Sequence, residues 1–134
     1  VTVDEKWRRF RASFEAALAE QLDGRPAAFK ALWSHRPDVS IFGALAGLEL
    51  GWAEVDARLD WVSERVRAID LQVENLRTTV GTDLALTVDL ERMRRLVDGQ
   101  AVPRVLRATQ GYRLEDGEWR IFHRHADELR PSGR

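Results

Sequence analysis

VPRVLRATQGYRLEDGEWRIFHRHAD, residues Val102 to Asp127, is the stretch on which the fold turns. Two β-prone arms flank Asp116-Gly117, and a two-residue Asp-Gly loop favours a tight hairpin because both central residues must adopt positive φ. With that loop, Glu115 faces Glu118, and the pairs run Leu114–Trp119, Arg113–Arg120, Tyr112–Ile121, Gly111–Phe122, Gln110–His123, Thr109–Arg124 and Ala108–His125. Opposed residues share a face, and side chains alternate with period two. One face is then Leu106, Ala108, Gln110, Tyr112, Leu114, Trp119, Ile121, His123 and His125. The other is Arg107, Thr109, Gly111, Arg113, Arg120, Phe122 and Arg124. The first face is apolar near the turn and polar towards His125, as the wall of a ligand cavity would be. The assignment depends on register, since a slip of one residue exchanges the two faces.

Upstream, Thr2-Val3-Asp4-Glu5 fits a capping box. Trp7, Phe10, Phe14, Leu18 and Leu22 then recur at helical spacing. Asp23-Gly24 ends this helix, and a short second one follows from Pro26 to Trp33. Pro37 stops continuation, because a proline pushes the residue before it out of the helical region. Val39-Ser40-Ile41-Phe42 reads as a short strand, and Gly43 to Gly51 as a loop or a second short strand. A third helix covers Trp52 to Arg67 with a buried stripe of Trp52, Val55, Leu59, Val62 and Val66. Trp61 falls on its far side. Strands are expected over Ala68 to Val80 and Asp83 to Leu96, although Glu91 to Leu96 also contains good helix formers. Asp98-Gly99 leads into the hairpin. Helices first and antiparallel strands afterwards is an α+β plan, with a curved sheet wrapping the helices on one face.

The 134 residues suit one domain, residues 1–134, with a core that needs no staples. Without cysteine there is no disulfide, thiolate chemistry or cysteine-type zinc site. Twenty-one Lys plus Arg, all arginine except Lys6 and Lys30, against 22 Asp plus Glu argue against a nucleic-acid partner. No apolar run approaches the roughly 20 residues that cross a bilayer, and no charged-then-apolar leader is present. The expectation is therefore a cytoplasmic protein with no membrane partner. Five Trp hint at aromatic-lined surfaces.

The order of elements, together with Phe42-Gly43 followed by Gly51-Trp52, Arg107-x-Thr109, and Asp116-Gly117-x-Trp119 leading to His123-Arg124-His125, resembles the SnoaL-like, ketosteroid-isomerase-like proteins. These belong to the cone-shaped superfamily named for nuclear transport factor two. The likeness covers nearly the whole chain. It implies an α+β cone in which a curved antiparallel sheet wraps around three N-terminal helices, a deep pocket in each cone, and a homodimer formed through the sheet. Members include isomerases, hydrolases, cyclases, dehydratases and non-catalytic binding modules, so the fold does not select a reaction. Ketosteroid isomerase itself pairs an Asp base with a Tyr and a protonated Asp as oxyanion donors. Here the first helix holds no Tyr, and Val102 to Leu114 holds no Asp or Glu, which makes steroid isomerisation improbable. No spacing places the Asp-Arg-Asp arrangement of the epoxide-hydrolase members.

His123 and His125, about 7 Å apart along one strand, could serve as acid and base. As metal ligands they would want a third partner, for which only a carboxylate or His35 remains, so no metal is expected. The bland alternative for the pair is a hydrogen-bonding role at the end of the sheet, and for His35 an exposed loop. Arg107, Arg124 and Arg77 suit a carboxylate ligand. By the register above, however, Arg107 and Arg124 fall on the back face, where pairing with a carboxylate such as Glu74 or Glu91 is the simpler role. No phosphate loop, Ser-His-Asp order or metalloprotease motif is present. The expected function is a pocket that binds a small hydrophobic or polyketide-like molecule through Trp33, Gln110, Tyr112 and His125. Any catalysis would be cofactor-free isomerase, cyclase or hydrolase chemistry, with His123 as acid or base and Asp38 as a second base. The alternative is a non-catalytic ligand-binding or dimerisation module.

Overall fold

A computed structural model describes residues 2–132. Both Asp-Gly pairs turn the chain as their chemistry requires. Asp98 and Gly99 have φ of 51° and 78°, and Asp116 and Gly117 have 51° and 81°. Positive φ at both central residues matches the right-handed twist of the flanking strands. Three long antiparallel strands and a shorter partner follow from these turns and the one at Gly81: β3 (Ala68–Val80), β4 (Leu84–Val97), β5 (Gln100–Glu115) and β6 (Glu118–Glu128). Glu91 to Leu96, which could have been helical, is strand throughout. The short strands β1 (Ser40–Phe42) and β2 (Glu49–Leu50) complete a six-stranded sheet in the order β2-β1-β6-β5-β4-β3. Every neighbouring pair is antiparallel except β1 and β6.

The helices lie on the concave side of this open, curved sheet. The first, α1 (Val3–Gln21), is capped by Thr2, whose hydroxyl accepts the Glu5 amide at 3.1 Å. It buries Trp7, Phe10, Phe14 and Leu18. Trp7 meets Tyr112 and Trp119 edge-on, at 5.0 and 5.3 Å between ring centres. Such edge-to-face pairs add roughly 0.5–1.5 kcal/mol each beyond the area they bury. Helix α2 (Ala27–Ala31) is one turn long and buries Phe29. Helix α3 (Trp52–Arg65) ends two residues before the expected limit, and Val55, Leu59 and Ser63 are its buried positions. Lys30 Nζ sits 2.6 Å from both Asp56 and Asp60, joining α2 to α3. Arg58 and Arg65 cover Trp61, at 4.0 and 4.4 Å from its ring centre. Among the described residues no helix is long and apolar enough to cross a membrane.

One feature of the hairpin departs from the expected register. The pairs are as expected from Glu115–Glu118 to Tyr112–Ile121, but Gly111 then faces His123, Gln110 faces Arg124 and Thr109 faces His125. Phe122 is an extra residue, a β-bulge, and every side chain beyond it changes face. Arg124 therefore joins Gln110 and Tyr112 on the concave side, where Arg124 and Ala126 are buried. His123 and His125 turn to the outer face, beside Phe42 of β1 at 5.2 and 5.4 Å. The expectation that both histidines share a face with Gln110 and Tyr112, and that Arg124 lies on the back, is corrected by this bulge.

Candidate functional site

On the concave face, β4 presents Ala85, Thr87, Asp89, Glu91, Met93 and Arg95 by simple alternation, and the first five are buried. Asp, Glu and Thr in such surroundings must be paired, and each is. Arg124 grips Glu91 with both arms of its guanidinium, at 2.6 and 2.8 Å, and gives a third bond to Gln110 Oε1 at 2.8 Å. Arginine can only donate, so the Gln110 carboxamide is oriented with its nitrogen towards the Tyr112 hydroxyl, 2.5 Å away. Arg11 donates to the same hydroxyl at 3.1 Å and clamps Asp89 at 3.0 and 3.1 Å. Asn75 adds a bond to Asp89 at 2.8 Å. With two donors already directed at its oxygen, the Tyr112 hydroxyl gives its own proton to Thr87 Oγ1 at 2.7 Å. A single hydrogen-bonded chain thus runs across the sheet from Asn75 on β3 to Arg124 on β6. Burial, partly offset by the Arg11 charge, raises the Tyr112 pKa. Burial would lower that of Arg124, but the Glu91 carboxylate outweighs it and the net direction is up. These groups stay in one charge state at neutral pH.

Beside Arg124 the network meets a cavity of about 160 Å³ between α1, α3, the loop after β1 and strands β4 to β6. Its wall is largely apolar: Leu18 of α1 and Leu22 just after it, Phe29, Ile41, Leu59, Val62, Met93 and Leu106. Its charged lining is Arg58, Arg95, Arg104, Arg124 and Glu128. Gln21 also lines it. The Gln21 amide nitrogen donates to Leu59 O at 2.9 Å, while its buried Oε1 has no hydrogen-bond partner among the described residues.

The residues singled out in the sequence are distributed as follows. Gln110 and Tyr112 are fully buried within the polar chain and touch the cavity only through Arg124. Trp33 is buried in the core against Phe29, with its indole N–H unpaired. His125 is exposed on the outer face. His123 is half-buried there, with Nδ1 2.7 Å from Ser40 Oγ. Burial, aided by the neighbouring His125 charge, holds its pKa below the ordinary histidine value. Asp38 is solvent-exposed and held by Arg113 at 2.6 and 2.8 Å, which lowers its pKa. None of Trp33, Asp38, His123 and His125 lines the cavity. Arg124 does pair with Glu91, though inside the cone, and Arg107 pairs with Asp127 at 2.7 and 2.8 Å on the outer side. Exposed His35 stacks on Trp52 at 3.9 Å. Among the described residues no group of three His, Cys, Asp or Glu could hold a metal ion.

Sequence reasoning named Arg124 and its Glu91 partner but set the arginine on the wrong face, and it missed Arg11, Asp89, Arg58, Arg95 and Arg104. One signal for the bulge was present: Gly111, a lone glycine inside a strand pattern, marks bulges and close approaches.

Similar solved structures share this architecture. A putative calcium/calmodulin-dependent protein kinase type II association domain from Thiobacillus denitrificans is 27% identical, with 96% of each chain covered and a TM-score of 0.71. A putative dehydratase of the nuclear transport factor two-like family from Streptomyces avermitilis is 19% identical, covers 95% of this chain and 96% of its own, and has a TM-score of 0.77. A ketosteroid isomerase-like protein from Erwinia carotovora atroseptica is 19% identical over 90% of this chain and 96% of its own, with a TM-score of 0.73. Among curated proteins none matches this chain. The model of the SnoaL-like domain matches residues 10–126. Together with the helix-filled cone built on the bulged hairpin, that match makes the chain a member of the SnoaL-like domain family.

Proposed function

We propose that this protein binds a small, largely apolar molecule inside the cone and that binding, rather than acid–base chemistry, is what the cavity performs. The observation that carries the reading is the lining. Apolar side chains form most of the wall, and its ionisable groups are four arginines and Glu128. Arginine is a poor proton donor or acceptor near neutral pH. The nearest buried carboxylates, Glu91 and Asp89, are each held by an arginine, Glu91 by both arms of Arg124 and Asp89 by one nitrogen of Arg11. That favours the non-catalytic alternative over an isomerase, cyclase or hydrolase. A proton-transfer role for His123 or Asp38 would be exercised outside this cavity. A homodimer is part of the proposal, because Leu84 and Leu86 project from the outer face at 56% and 44% exposure.

The test is thermal unfolding with a panel of apolar alcohols, ketones and lactones, comparing the native chain with Leu106→Trp, which fills the cavity. A ligand at about 100 times its Kd stabilises by about 2.7 kcal/mol, several degrees for a chain of this size. The reading expects a shift in the native chain and none in the filled one. Equal shifts in both would remove the cavity from the explanation.

A further inference from the structure

The arginines around the cavity are not equivalent. Three of them have a carboxylate: Glu91 for Arg124 at 2.6 Å, Glu128 (which also meets Arg130) for Arg104 at 3.6 Å, and Glu49 for Arg58 at 3.8 Å, an ion pair without a hydrogen bond. Arg58 also donates to the carbonyls of Leu45 and Ala46. Arg95 is different. It stands on the concave face one alternation beyond buried Met93, and its guanidinium makes no hydrogen bond or ion pair among the described residues. The cavity lining and its pairing carboxylates therefore carry one surplus positive charge, and that charge belongs to Arg95.

The backbone that follows Gln21 runs beside the strand pair that carries Arg95. Leu22, the next residue, accepts the Ala68 amide at 3.0 Å, and Ala68 is the sheet partner of Arg95. A buried carboxamide oxygen without a donor is destabilising unless something in the site supplies one. The cavity thus presents an unmatched cation and an unmatched acceptor, and apart from Arg58, Arg104, Arg124 and Glu128 the rest of its wall is largely apolar.

We propose that the occupant is a small hydroxy acid. Its carboxylate would rest on the Arg95 fork, its hydroxyl would donate to Gln21 Oε1, and its apolar body would lie against Leu18, Phe29 and Met93. A single surplus charge fits a monoanionic carboxylate better than a phosphate dianion, and the planar fork matches a carboxylate with two parallel bonds. Size limits the body: a cavity of about 150 Å³ holds a benzene-sized molecule, so one ring or a chain of about six carbons fits here. This inference rests on the binding reading above and names the class of ligand.

The experiment titrates 2-hydroxyoctanoate and the neutral octane-1,2-diol, which share chain and hydroxyl, into the native protein by calorimetry at neutral pH. Arg95→Met, which keeps the apolar stem, is titrated in parallel, after circular dichroism has established that it is folded. The native chain is expected to prefer the acid by about tenfold or more, as a charge-assisted pair would give. In Arg95→Met the ratio of acid to diol affinity should fall to about one. Native protein that binds both equally, or a variant that keeps the acid preference, overturns the assignment of Arg95 while leaving the binding cavity intact. Native protein that binds neither overturns both readings.

Discussion

Gly111 lies directly beneath the ring of Phe122: a Cβ at Gly111 would sit 2.8 Å from Phe122 Cζ and 3.0 Å from Cε2. These two residues stand at the register shift that sends Arg124 into the cone and the histidines out of it. The ring occupies the side-chain space that glycine leaves open.

Gly111→Ala forces the ring away or strains the bulge, and overpacking of this kind costs roughly 1–3 kcal/mol. Phe122→Ala removes the obstacle, so Gly111→Ala should cost much less in that background. Urea unfolding of the four members of this double-mutant cycle reads the coupling directly. Strictly additive losses would mean that the glycine is not there for the ring.

Glu91→Gln leaves Arg124 buried without its counter-charge, and breaking such a pair by removing one partner costs about 3–5 kcal/mol. Replacing both by apolar residues, Glu91→Leu with Arg124→Met, removes two desolvated charges together. It should therefore destabilise far less than the single change. The cost of the double variant is confined to the orphaned Gln110 oxygen, on the order of 1–3 kcal/mol. Chemical denaturation of the three variants decides the matter. A double variant less stable than Glu91→Gln would assign the pair a net stabilising role that desolvation arithmetic does not give it.

Much of the architecture was legible because local signals agreed with one another. Thr2 caps α1, both Asp-Gly pairs adopt the predicted turn, and the helical spacing from Trp7 to Leu18 marks the face that packs on the sheet. The site was legible only as far as Tyr112. Period-two reading has no memory beyond a bulge, so one extra residue at Phe122 moved His123 and Arg124 to opposite sides from those assigned. Strand β4 misleads in a different way. Its leucines at 84 and 86 look like the core row, yet the buried row is Thr87, Asp89 and Glu91. Asp89 and Glu91 are inside because arginines from α1 and β6 meet them, and Thr87 because the Tyr112 hydroxyl does; such long-range pairing leaves no trace in local sequence.

His123 predicts how stability depends on pH. Its folded pKa lies below the ordinary value through burial and then through the nearby His125 charge. The unfolded chain, near pKa 6.5, therefore takes up this proton more readily than the folded one. The contribution is fully present above about pH 6.5 and is lost as pH falls through that value and then through the lowered folded pKa. His123→Asn, which can still bond Ser40, should lose less stability than the native chain between about pH 7.5 and 5.5, a window above the ordinary carboxylate range. Urea midpoints at the two pH values measure the difference. Equal slopes would mean that His123 protonates as freely in the folded chain as in the unfolded one.

Leu86 tests the outer face. It stands in the exposed row of β4, with Leu84, opposite Thr79 of β3 on one side and, on the other, Gly111 of β5, whose side-chain space the Phe122 ring fills. A homodimer packed through this face would bury both leucines, and Leu86→Asp would place a carboxylate in that apolar contact. Burying a polar group without a partner costs on the order of 1–3 kcal/mol by mutational measures, and a charge costs more. Dimer affinity should therefore fall by roughly a hundredfold or more. In an isolated protomer Leu86 already faces solvent, where substitutions usually change stability by less than about 0.5 kcal/mol. Sedimentation equilibrium of the native and variant chains separates the two effects: the variant should be a monomer whose circular dichroism matches that of the native protein. A native chain that is monomeric at every concentration removes the homodimer. A variant that dimerises as the native chain does moves the interface away from this face.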